Sequence, residues 1–260
     1  MKFDRVLGYS VATILVLASA SCAVRKPAAS QPAHTTHWSY SGATGPAHWG
    51  SLSPEYALCS TGRSQSPIDI VSSNPRDLSN IAFSYQPAPL NIVNNGHTVQ
   101  VNYAPGSFIQ IDGDRFDLAQ FHFHSPSEHL VGGAQAAAEM HLVHKSPDGR
   151  LAVVGVMLVE GDHNPALDSI WSNIPAAGKT ATPPSVTVSA AALLPKDQRT
   201  FRYDGSLTTP PGTEGVKWNL MVAPVTLSSS QLAQFRRHYH GNNRPVQNLN
   251  GRMILQDSTP

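Results

Sequence analysis

The stretch FHFHSPSEH, Phe121 to His129, sets two histidines one residue apart between aromatics and closes on Ser-Glu-His. In an extended strand, side chains alternate between faces, so Gln120, His122 and His124 share one face while Phe121 and Phe123 occupy the other. The aromatics then fill a core and the histidines line a cavity. Downstream, AEMHLVH (Ala138 to His144) puts Glu139, His141 and Val143 on one face by the same period. If these two strands are neighbours, three imidazoles converge.

Three neutral nitrogen ligands suit zinc, and a catalytic zinc site leaves its fourth position to water. Histidines rather than carboxylates leave the metal its full double charge, so it acidifies that water more strongly. Each ligand also needs a partner that fixes its tautomer. Gln120 beside His122 and Glu139 beside His141 are placed for that task. An isolated H-x-H is more often a pair of ordinary strand residues, and the pattern alone leaves both readings open.

The rest of the chain sets the frame. At 260 residues it can bury a full core. A formal net charge of +1 supplies no basic field for nucleic acid or acidic lipid. The N-terminus is an address: Lys2 and Arg5 open it, Val6 to Ala20 is mostly apolar, and Ala18-Ser19-Ala20 fits a signal-peptidase site. Residues 1–21 are therefore expected to be an export signal, too short in its apolar run for a membrane anchor. Leu17 to Cys22 resembles a bacterial lipoprotein box out of register, so two readings stay open: a lipid anchor at Cys22, or a plain secretory signal. Residues 22–37, rich in Ala, Pro, Ser and Thr, read as a disordered linker, and residues 38–260 as one domain.

Within that domain short apolar runs dominate: LNIVNN, TVQVNY, SFIQID, FDLAQFHFH, AEMHLVH, LAVVGVMLVEG and VKWNLMVAPV, separated by Gly, Pro, Asn and Asp. The architecture should be mainly β. One helix is expected late, over Ser228–Tyr239, with Ser228 and Gln231 as a capping box, Leu232, Phe235 and Tyr239 on one side, and Gly241 as its stop.

FHFHSPSEH and AEMHLVH, followed by YDGSLTTPP (Tyr203 to Pro211), resemble the α-class carbonic anhydrases. HWSY (His37 to Tyr40), SQSPIDI (Ser64 to Ile70), NNGH (Asn94 to His97) and NNRPVQ (Asn242 to Gln247) agree with that family in the same order, from Trp38 to Arg252. The resemblance implies an α+β fold with a large central twisted, mostly antiparallel sheet and short peripheral helices. It also implies a zinc lyase that interconverts carbon dioxide and bicarbonate by zinc-hydroxide attack, exported to a bacterial periplasm or envelope, and compatible with a homodimer.

Residue by residue, the resemblance makes His122, His124 and His141 the zinc ligands, Thr208 the gatekeeper and Glu128 its acidic partner. A carboxylate only accepts, so the Thr208 hydroxyl must spend its one hydrogen on Glu128 and accept with its oxygen. Thr209 is implied to bind bicarbonate, and Val143, Val153, Leu207, Val216 and Trp218 to form the apolar wall for carbon dioxide. Zinc-bound water in this family has the established pKa near 7. At a reprotonation ceiling of ~10^10 per molar per second, such a group sheds protons to water at only ~10^3 per second. Faster turnover needs a relay titrating near neutrality; His97 matches the family's proton shuttle, and Tyr40 its orderer of the connecting waters.

One position departs from the family. Exported members often join a cysteine before QSPI to one in the TTPP turn; Cys59 matches the first, but Gly212 occupies the second. Cys59 is then either a buried inert thiol, the favoured reading, or a bridge between chains. The ligand set is complete, which argues against a non-catalytic binding relative. The remaining histidines (His34, His37, His48, His129, His144, His163, His238 and His240) read as scattered, which argues against a zinc-buffering protein.

Overall fold

The computed structural model describes residue 1 and residues 36–259. The export signal, Cys22 and all but the last two residues of the expected linker lie outside the described residues. Every apolar run named above forms a strand. The ones that build the site are β1 (Asn91–Asn94), β2 (Val99–Asn102), β3 (Asp114–His124), β4 (Ala138–Lys145), β5 (Leu151–Glu160), β6 (Thr200–Ser206) and β7 (Glu214–Met221). They lie side by side in the order β1-β2-β3-β4-β5-β7-β6 within a 13-stranded sheet. Most neighbours are antiparallel, as expected; β5 and β7 are parallel.

The pleat divides this sheet as the sequence predicts. Phe121, Phe123, Met140, Leu142, Val154 and Val156 point to one face and are buried in the larger core cluster. Two helices cover that face. Helix α1 (Pro165–Trp171) sends in Leu167, Ile170 and Trp171, and α2 (Ser229–Arg236) sends in Leu232 and Phe235. Phe123 meets Trp171 edge-on at 4.7 Å, and Trp171 stacks on Phe235 at 5.2 Å. Full burial of such side chains contributes roughly 2–3 kcal/mol each, so this interface fixes which face of β3 and β4 is left for chemistry.

Helix α2 has the expected capping box, with Ser228 Oγ accepting from Gln231 N–H and Gln231 Oε1 accepting from Ser228 N–H. It stops at Arg236 rather than Tyr239, where the His238 N–H turns onto the Phe235 carbonyl three residues back in place of the four-residue step of an α-helix. Helix α1 was not expected from the sequence. Its signal is the Asn164-Pro165 pair: Asn164 caps Ala166 N–H, and proline takes the first turn, where its missing N–H costs nothing.

Cys59 is buried with a free thiol, as favoured. Gly212 has φ +70°, and a Cβ added there would lie 2.8 Å from Cys59 Sγ. The two positions that the family bridges are therefore in contact here without a bridge. Closing that loop of about 150 residues stabilises by about 5 kcal/mol on the chain-entropy account, less roughly 1 kcal/mol for a side chain at positive φ. Oxidised Gly212→Cys is expected to melt roughly 10 °C above the parent in a thermal scan, with the gain lost in reductant. A midpoint indifferent to reductant would show that the two positions do not meet.

Candidate metal centre

The register of the sheet assembles the centre. His122 on β3 stands directly opposite His141 on β4, and His124 opposite Glu139. All four project from the face away from the helices. One ligand atom from each of His122, His124 and His141 lies within 4.8 Å of the others. His124 and His141 are buried and His122 is half-buried.

Hydrogen bonds decide which nitrogen of each ring is left over. Gln120 Oε1 takes Nδ1–H of His122 at 2.8 Å, leaving Nε2. The Asn242 carbonyl takes Nδ1–H of His124 at 2.7 Å, and the Nε2 of His124 is buried without a partner. Glu139 Oε1 takes Nε2–H of His141 at 2.8 Å, leaving Nδ1. Three imidazoles with one lone pair each could hold a metal ion between them, a donor set of the kind that suits zinc. An orphaned buried nitrogen is otherwise costly, and a cation at that point satisfies it. Burial holds His122 and His141 below the usual imidazole range and His124 at about 4, so all three are in the neutral, ligating form at pH 7.

Glu139 organises more than His141. Its Oε1 also accepts His129 Nδ1–H at 2.7 Å, and Oε2 accepts the N–H groups of Glu128 and His129, both at 2.8 Å. Burial pushes this carboxyl up, but His129 and His141 beside it together pull it well below the usual carboxylate range. Gly155, next to His141 on β5, makes room: a Cβ there would sit 2.6 Å from Leu220 and 3.2 Å from Glu139 Oε1. His129 in turn bonds Tyr203 Oη through Nε2 at 2.6 Å, and Tyr203 bonds Ser66 Oγ at 2.8 Å.

This corrects the reading of His129 as one of the scattered histidines. Its clue was its place in FHFHSPSEH, after the turn that brings Glu128 back over β4. Among the other histidines so read, His144 is buried, bonding Tyr85 Oη at 2.7 Å, and burial lowers its pKa to about 3.

Glu128 is fully buried. Its Oε1 accepts Arg244 N–H at 2.7 Å and its Oε2 has no hydrogen-bond partner. Burial raises this carboxyl to about 7, against the opposing pull of His141, the Arg244 amide and the Thr208 hydroxyl. Thr208 is thus beside Glu128. The turn that presents Thr208 is tied by Leu207 N–H to Thr213 O at 3.0 Å and Gly212 N–H to Thr209 O at 2.9 Å. Thr209 is half-buried on the same turn.

Of the other residues singled out in the sequence, Val143, Val153 and Trp218 share one cross-strand row with Gln120. Along one row, Asn91, Asn102, Gln120, Val143, Val153, Trp218 and Tyr203 are successive cross-strand partners. The row is polar up to Gln120 and apolar from Val143. Val153, Val216 and Trp218 are buried in one cluster, with half-buried Val143 and Leu207 packed on it. His97, in the turn between β1 and β2, is half-buried, its ring stacked on Trp38 at 3.7 Å and 8°. Burial, then the neighbouring His37, lowers its pKa. Tyr40 is half-buried at 6.5 Å from the His97 ring. Burial, then Glu128, holds its phenol well above the usual range.

A family model described as eukaryotic-type carbonic anhydrase matches residues 44–258. The chain belongs to the α-carbonic anhydrase family. It is 45% identical over 222 residues to a carbonic anhydrase of Pectobacterium carotovorum, covering 85% of this chain and 91% of that one. It is 44% identical over 260 residues to one of Nostoc sp., covering 97% and 95%. Its fold is similar to that of α-carbonic anhydrase from Thermovibrio ammonificans in complex with the inhibitor sulfanilamide, with TM-score 0.82 and 43% identity over 85% of this chain and 99% of that one. Carbonic anhydrase activity follows from membership.

In this carbonic anhydrase, Glu139 fixes the tautomer of a ring that has no other hydrogen-bonded partner for its Nε2. Glu139→Gln presents an N–H where an acceptor is required. Zinc affinity, measured by competition with a chromophoric chelator, is expected to fall about 10- to 100-fold; unchanged affinity would show that Glu139 does not orient His141.

Proposed function

We propose that this chain holds one zinc ion at His122, His124 and His141 and hydrates carbon dioxide reversibly to bicarbonate and a proton. The observation that carries the reading is the set of three convergent ring nitrogens left free after every second nitrogen has found its acceptor. Bound there, zinc supplies a Lewis acid that makes water a nucleophile near neutral pH.

The chain's own residues do the rest. Glu128 Oε2, buried and free, is the acceptor for the Thr208 hydrogen. The Thr208 oxygen can then only accept, so a hydroxyl held at the centre would donate its hydrogen to Thr208. Val143, Leu207, Val153, Val216 and Trp218 present an apolar surface to a substrate with no charge and no hydrogen to donate. Thr209 offers a hydroxyl to the more polar product. His97 accepts the proton released at the centre, through water ordered by Tyr40, and passes it to solvent; a depressed pKa favours that release.

Residues 1–21 are read as an export signal and 22–37 as a tether, placing the domain of residues 38–260 in a bacterial periplasm or envelope. No helix among the described residues is long and apolar enough to cross a membrane.

Two substitutions separate the wall from the relay. Val143→Tyr fills the substrate surface and is expected to lower kcat/KM of carbon dioxide hydration by roughly a hundredfold or more with zinc retained. His97→Ala is expected to lower kcat roughly tenfold or more in weak buffer, leave kcat/KM in place, and recover with added imidazole. Hydration at normal rates in Val143→Tyr would remove the wall assignment, and failure of imidazole to restore His97→Ala would remove the shuttle.

A further inference from the structure

The segment that follows α2 reaches back across the site through Asn242, a buried residue that bonds three consecutive residues at the end of β3. Its Nδ2 donates to the Phe123 carbonyl at 3.0 Å, its own carbonyl accepts from His124 Nδ1 at 2.7 Å, and its Oδ1 accepts from Ser125 N–H at 2.9 Å. The same Nδ2 donates to the His97 carbonyl at 3.1 Å. A primary amide has two hydrogens on one nitrogen, and here one holds the ligand strand while the other holds the loop that carries His97.

That loop is pinned elsewhere too. The N–H groups of His97 and Thr98 both donate to Asn95 Oδ1 at 2.9 Å. The Tyr239 hydroxyl, three residues before Asn242, donates to Asn94 Oδ1. Both main-chain polar groups of His97 are thus committed, while its ring lies half-exposed on Trp38. The freedom left to His97 is rotation of its side chain, which takes staggered positions from a fixed backbone origin.

We propose that Asn242 is a positioning residue for proton export: it fixes the backbone origin from which the His97 ring swings, in register with the metal-ligating end of β3. This rests on the reading of His97 as the proton shuttle. Aspartate in its place supplies neither hydrogen and serine only one, so an amide is required to hold both carbonyls from one side chain. Losing the bond to His97 while the Asn242 main-chain carbonyl stays on His124 slows proton export more than the hydration step.

The test is a double-mutant cycle in the full zinc-loaded chain, with kcat and kcat/KM of carbon dioxide hydration measured in weak buffer. Asn242→Ala is expected to lower kcat roughly fivefold to tenfold, by a larger factor than kcat/KM, to recover in kcat with imidazole, and to add nothing further to the kcat of His97→Ala. Amide hydrogen exchange should accelerate at His97 and Thr98 while β4 keeps its protection. Should Asn242→Ala not fold, Tyr239→Phe, which removes the hydroxyl on Asn94 and keeps the ring, is expected to show the same split at smaller size. A parallel fall of kcat and kcat/KM, or an equal fall in the His97→Ala background, would overturn the proposal by showing that Asn242 acts on the centre or the fold. No change in kcat for Asn242→Ala while His97→Ala is slow would overturn it with the shuttle reading intact. A fast His97→Ala enzyme would remove the shuttle reading and this inference with it.

Discussion

The constraint on which the site depends is the burial of the Glu139 carboxylate. An ionised carboxylate out of water is costly unless it is paired or fully hydrogen-bonded. Glu139 is surrounded by four N–H donors: two backbone groups from the Glu128–His129 turn and one ring nitrogen each from His129 and His141. Those donors come from opposite sides of the centre, so satisfying one charge folds the 128–129 turn onto β4 and sets the tautomer of a ligand at once. Gly155 supplies the room on the neighbouring strand. The same turn carries Glu128, so the buried carboxyl beside Thr208 is placed by the carboxylate that bonds His141.

Around that charge the sheet face is divided by register. The row through Gln120 and Val143 changes from amide to alkyl between two adjacent strands, with the three ligand rings on or beside that boundary. Gln120 and Asn102 lie on the polar side of that boundary, and Val143 and Trp218 on the apolar side. Alternation along adjacent strands places both kinds of side chain on one sheet face. The aromatic face behind it, packed on α1 and α2, holds the boundary still.

Much of this was legible in the sequence because period 2 is short-ranged. The faces of Gln120, His122 and His124, and of Glu139, His141 and Val143, follow from alternation alone, and the capping box at Ser228 and Gln231 from spacing alone. What alternation does not state is which strands are neighbours; there the resemblance of FHFHSPSEH and AEMHLVH to a family did the deciding. Contacts closed over more than 100 positions were not legible: Asn242 on His124, and Arg244 on Glu128, depend on where the chain returns after α2. His129 was missed because a histidine after a turn carries no periodic signal, and its partners Glu139 and Tyr203 lie on strands that only the fold brings together. Helix α1 was missed because its capping pair, Asn164-Pro165, is also the composition of a turn.

The most direct measurement is stopped-flow carbon dioxide hydration on the purified chain, with zinc content determined on the same sample before stripping, after stripping and after zinc is restored. Activity is expected to track zinc up to about one ion per chain, to vanish on stripping, and to be absent in His141→Ala at every zinc concentration. Hydration that survives complete stripping, or a chain saturated with zinc that does not hydrate carbon dioxide, would contradict the account.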